Sequence, residues 1–157
     1  MIPTYRQRLR AEGAMLAAAG AVAAVLVLAL SDEATENALS TAIQLAIVAA
    51  LMATLGVRSV RRSMAAAVPR DPDDLGTGEP TPLWQHPLIV AGLAVGFGVP
   101  AGWDAGLRVG AGCVIVGLAQ AIVFERLVAR EEQQRGVRFH RVAGSSLFTG
   151  TRLGTVR

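Results

Sequence analysis

The chain has 157 residues, of which 52% are apolar and 17% charged, with a mean hydropathy of +0.45. A water-soluble domain of this length ordinarily carries more charge, so the composition argues against a soluble globule and for an all-α integral membrane protein. The lone cysteine, Cys113, leaves no intramolecular disulfide or cysteine-based zinc site, and the formal charge of +3 rests on fifteen basic residues that are all arginine and never titrate.

Four apolar runs succeed one another along the chain. The first, 14–30, has seventeen residues without a polar side chain, preceded by Arg6, Arg8 and Arg10 and followed by Ser31-Asp32-Glu33. As a helix it spans about 25 Å, slightly under the ~30 Å of a bilayer core. The rival is a cleaved secretory signal, since Ala29-Leu30-Ser31 loosely fits a cleavage site. The run exceeds the ~7–15 apolar residues of a signal core, so a retained span is expected. The second run, 38–57, carries Ser40, Thr41, Gln44 and Thr54 and ends on Arg58, Arg61 and Arg62. The third, 88–103, is the weakest because Gly92, Gly96, Gly98, Pro100 and Gly102 interrupt it, although such residues are commoner in membrane helices than in soluble ones. The fourth, 107–128, is apolar from Val109 to Phe124 apart from Gln120, and Glu125, Arg126 and Arg130 close it. The expected architecture is a four-span membrane domain over 1–130, built as two antiparallel hairpins in a small left-handed bundle, followed by a basic tail over 131–157.

The arginines set the expected orientation. If all four runs cross the membrane, the N-terminal segment, the 58–86 linker and the tail share one side. That side holds fourteen arginines against eight acids, a balance of +6, while the other holds Arg108 against Asp32, Glu33, Glu36 and Asp104, or −3. The positive-inside rule then puts both termini in the cytoplasm of a multi-pass plasma-membrane protein. Trp84 and Trp103 flank the third run at opposite ends, where indoles favour the interface.

Helix association in lipid depends on close backbone approach and polar contacts, because the lipid tails are as apolar as the side chains. Gly13, Ala17, Gly20 and Ala24 recur on one face of the first helix, and Gly106, Gly110, Cys113, Gly117 and Gln120 on one face of the fourth. Gly92 and Gly96 add a GxxxG pair in the third. These residues are expected to pack helices within the chain, and Cys113 to fill space as a small apolar group. Ser40, Gln44, Thr54 and Gln120 are the candidate intramembrane polar contacts, each expected to hydrogen-bond between helices.

Beyond the spans, Arg58 to Val68 is expected to prolong the second helix along the membrane surface before a Pro- and Gly-rich cytoplasmic linker. Asp71, Asp73, Gly76 and Glu79 resemble the start of a calcium loop, but Leu75 takes a ligand position and Pro82 stands where the bidentate glutamate belongs, so the segment is read as a solvated turn. The tail carries no acid after Glu132. Its alternation of Val137 and Phe139 with Arg138 and His140 permits a short strand without requiring one, and a solvated basic tail is the leading expectation. Arg58, Arg61, Arg62, Arg135, Arg138 and Arg141 are the candidate surface for anionic headgroups or a partner. Five tail arginines with little aromatic content make no recognisable nucleic-acid reader.

No Asp, Glu or His falls within an apolar core, and no nucleophile–base pair or metal triad is evident, so neither an enzyme nor a cofactor is expected. The leading functional expectation is a non-enzymatic accessory or scaffold subunit of a membrane assembly. It would contact bilayer, headgroups and a membrane-protein partner or further copies of itself. The alternative is a small oligomeric pore or solute carrier lined by groups such as Ser40 and Gln44.

Overall fold

The computed structural model describes residues 3–30, 38–70, 90, 92, 96, 102–142 and 152–156. Helix α1 covers Tyr5–Leu30. A capping box starts it: the Thr4 amide donates to Gln7 Oε1 at 2.9 Å and the Gln7 amide donates to Thr4 Oγ1 at 3.3 Å, which satisfies two donors that a helix start leaves orphaned. Helix α2 runs as Ala38–Leu51, passes through a π-helical turn at Met52–Gly56 and continues as Val57–Ala65. Helix α3 has the same plan, with Trp103–Leu118, a π-helical stretch at Ala119–Phe124 and a polar extension at Glu125–Arg135. It opens after Gly102 (φ 93°) and closes on Gly136 (φ 63°), both in backbone conformations that an L side chain rarely adopts.

Among the described residues, three helical segments are long and apolar enough to cross a membrane: Tyr5–Ala29, Leu39–Ala65 and Trp103–Arg135. Their outward faces are apolar as lipid requires, with Val25 64% and Leu39 76% exposed. These segments correspond to the first, second and fourth apolar runs. Of the third run only a few residues are described. Val90, Gly92 and Gly96 are helical, and Val90 is buried against Leu16, Ala19, Ala23, Val109 and Cys113. The acidic turn 31–37, the calcium-loop lookalike, Trp84 and the rest of the 71–89 stretch lie outside the described residues.

The closest helix pair is α1 with α3, and they are antiparallel. A Cβ placed on Gly20 would lie 2.5 Å from the Gly110 carbonyl oxygen, and one on Gly13 would lie 2.6 Å from that of Gly117. The converse holds for Gly110, which faces Ala24 and Gly20, and for Gly117, which faces Ala17 and Gly13. Cys113 packs against Gly20. Small residues thus line this contact on both helices, and backbone contact here replaces the side-chain interdigitation of a soluble bundle. Helix α2 lies parallel to α3: Thr41 meets Arg108 near their starts, and Gly56 faces the Phe124 ring near their ends. Gly92 and Gly96 are exposed, and a Cβ at either would touch nothing within 4 Å.

At the basic end the chain forms a three-stranded sheet. Strands β1 (Val68–Pro69), β2 (Arg138–Arg141) and β3 (Leu153–Val156) are ordered β1-β3-β2, with β3 parallel to β1 and antiparallel to β2. The expected solvated tail is corrected here, because each of its described stretches, 131–142 and 152–156, contains a strand. The cause is burial. Phe139 is fully buried and Leu153 nearly so, and they join Tyr5, Leu9, Val60, Met64, Phe124 and Val128 in one apolar cluster beneath the helix ends. Burying one such side chain contributes about 1.5–3 kcal/mol, so Phe139 and Leu153 together offset part of the ordering cost of the strands, which is about 1–2 kcal/mol per residue.

Candidate functional site

The features that distinguish this molecule gather at the basic end, where the helix extensions and the sheet form a cap. Three charged contacts fasten the cap to the helices. Arg6 on α1 pairs with Glu125 on α3, whose side chain is only 11% exposed. Arg141 on β2 lies 3.6 Å from Glu12 on α1. Glu132 Oε1 accepts the Phe139 amide at 3.0 Å, tying the end of α3 to the start of β2. A buried carboxylate needs such partners, since an unpaired one is strongly destabilising.

Two of the clefts beside the α3 extension, among the described residues, are rich in arginine. One, of about 390 Å³, opens between α2 and α3 and is lined by Arg61, Met64, Leu127, Arg130 and Arg135 among others. Arg135 closes one end of it: Nη2 sits 2.6 Å from Glu131 Oε1, while Nη1 reaches the Met64 carbonyl at 3.5 Å. The other cleft, of about 570 Å³, lies against the sheet and takes in Arg6, Glu132, Gly136, Arg138 and His140. His140 is 9% exposed, and its Nδ1 is buried with no hydrogen-bond partner among the described residues. The described residues contain no group of three or more His, Cys, Asp or Glu placed to hold a metal ion.

Comparison with known proteins assigns the chain to no family. No family model matches it, and no curated protein or solved structure does so either.

The expected surface arginines divide into two groups. Arg58, Arg61, Arg62, Arg135 and Arg138 are exposed, as a headgroup or partner surface requires. Arg141 instead turns inward, with its side chain 16% exposed beside Glu12, and fastens the sheet. The polar contacts expected within the spans also divide. Thr54 donates to the Ala50 carbonyl of its own helix at 2.8 Å, Ser40 and Gln44 are exposed, and Gln120 sits with its Cβ against Gly13. Among the described residues, one interhelical contact joins Arg108 Nε to the buried Thr41 hydroxyl at 3.3 Å, with Arg108 Nη2 held by Asp104 at 2.7 Å. The Asp104–Arg108 spacing of four residues is a readable signal for that pair. Nothing local points to Thr41.

Proposed function

We propose that the protein is a four-span accessory or scaffold subunit of a plasma-membrane assembly, with both termini and the cap in the cytoplasm. The four spans form two hairpins in chain order, joined by the α1–α3 contact. The observation that carries this reading is the cap itself. A basic chain segment that composition alone would leave in solvent is folded onto the helix ends, with Arg138 and Arg152 exposed on the sheet side. A rigid charged platform suits recognition of an acidic partner surface, because the side chains are placed before binding and less ordering entropy opposes the encounter.

The +6 against −3 division of charge supports the orientation. Purification in mild detergent tests the role. A partner recovered in stoichiometric amount with the wild type should be reduced about tenfold or more by Arg138→Glu with Arg152→Glu, since like charges across an interface repel. A homogeneous homo-oligomer without a partner would instead favour the pore reading.

A further inference from the structure

The cleft between the α2 and α3 extensions has the chemistry of an anionic lipid site. Arg61 and Arg130 stand on its two walls, both exposed and without a side-chain partner among the described residues. Arg135 adds a third guanidinium, already oriented by Glu131. Met64, fully buried, and Leu127, half-buried, supply apolar lining. A purely electrostatic surface would need no such lining, and a protein-filling pocket would not place two exposed guanidinium groups across its mouth.

Depth agrees with this chemistry. Arg61 lies four residues beyond Val57, the last residue of the second apolar run, and Arg130 six beyond Phe124. At 1.5 Å per residue both fall within about 10 Å of the apolar boundary, the layer that phosphate groups occupy. Toward the membrane interior, Leu51 and Leu55 on α2 and Leu118 and Ile122 on α3 remain exposed. A lipid seated here would place its phosphate among the guanidinium groups and its chains along apolar helix surface. Arginine suits the headgroup end because its planar fork binds phosphate oxygens through paired hydrogen bonds.

We infer that this cleft binds the phosphate of an anionic phospholipid headgroup, with Arg61 and Arg130 as its main ligands and Arg135 as a fixed third. The inference rests on the proposed placement of the basic end in the headgroup layer.

Native mass spectrometry in mild detergent tests it without reference to orientation or to any protein partner, so its failure is separable from failure of the scaffold reading. The protein is titrated with phosphatidylglycerol and with phosphatidylcholine. Wild type should retain the anionic lipid in preference to the zwitterionic one. Arg61→Gln with Arg130→Gln should lower that preference by about thirtyfold, the scale of two interfacial arginines. Arg10→Gln with Arg70→Gln, which removes equal charge elsewhere at the basic end, should leave it within about twofold. All four residues are exposed, so the variants are expected to keep the fold, and an unchanged thermal midpoint checks this. Equal loss in both double variants would replace the site by a diffuse basic surface. Absence of lipid preference in wild type, or displacement of the lipid by millimolar inorganic phosphate, would overturn the assignment.

Discussion

At the scale of single residues, glycine controls how near the helices come. At Gly20 and Gly117 an added methyl would meet backbone atoms at 2.5 Å, which no side-chain rotation can relieve. Alanine at either position should push α1 and α3 apart and cost about 1–3 kcal/mol, the range for overpacking a tight contact. Gly112 on the same α3 helix is the control, since a Cβ there meets nothing within 4 Å. Alanine at Gly112 should be neutral or stabilise by up to about 1 kcal/mol through helix propensity. Reversible unfolding in detergent measures the difference, and equal effects at Gly20 and Gly112 would show that the close contact contributes little. These packing faces are legible in the sequence, because a three-to-four-residue spacing of small residues is a local pattern. Which two faces meet is not legible, as it depends on residues about ninety apart, such as Gly20 and Gly110.

At the scale of elements, the surprises lie where the chain departs from regular helix or from solvent. Both α2 and α3 widen into π turns before their polar extensions, and the two turns face each other at Gly56 and Phe124. A π turn holds one more residue than an α turn and rotates the helix beyond it, so a 3.6-residue pattern read across it misassigns the buried face. In α2 the Thr54 hydroxyl, which competes for the Ala50 carbonyl, is a local contributor visible in the sequence. The sheet is harder to foresee. Alternation at 137–140 suggests a strand, but β1 is only Val68–Pro69 and gains its identity from pairing with β3 far along the chain. Because Phe139 is fully buried, Phe139→Ala should cost about 3–5 kcal/mol, visible as a lowered unfolding midpoint. A midpoint unchanged by that substitution would mean the cap is not coupled to the helices. Removing 137–157 should likewise destabilise the helix ends as well as any partner contact, so charge substitutions on the cap's surface are the cleaner functional probe.

At the scale of the whole molecule, charge and packing describe the same axis. The α1–α3 pair is antiparallel and α2 is parallel to α3, so Tyr5, Met64 and Phe139 share the basic end while Thr41, Asp104 and Arg108 share the opposite one. Arginine counting expects these two ends on opposite sides of the membrane, the topology proposed above. Reporter domains fused after Arg157 and inserted within 31–37 should therefore lie on opposite sides of the membrane, with the former cytoplasmic. Finding both on one side would overturn the four-span topology. Composition makes this axis legible, since insertion responds to summed charge near each span. Function is far less legible, because the cap depends on long-range contacts such as Arg6 with Glu125, 119 residues apart.

The order of the sheet, β1-β3-β2, sets a timetable for assembly. The middle strand is the last of the three to leave the ribosome, so β1 and β2 cannot join until Leu153–Val156 arrives between them. By then α1, α2 and α3 have already been made and can have entered the bilayer, since synthesis proceeds at only about 5–20 residues per second. The final strand therefore acts as a latch, closing the basic end only on chains from which Leu153–Val156 has emerged.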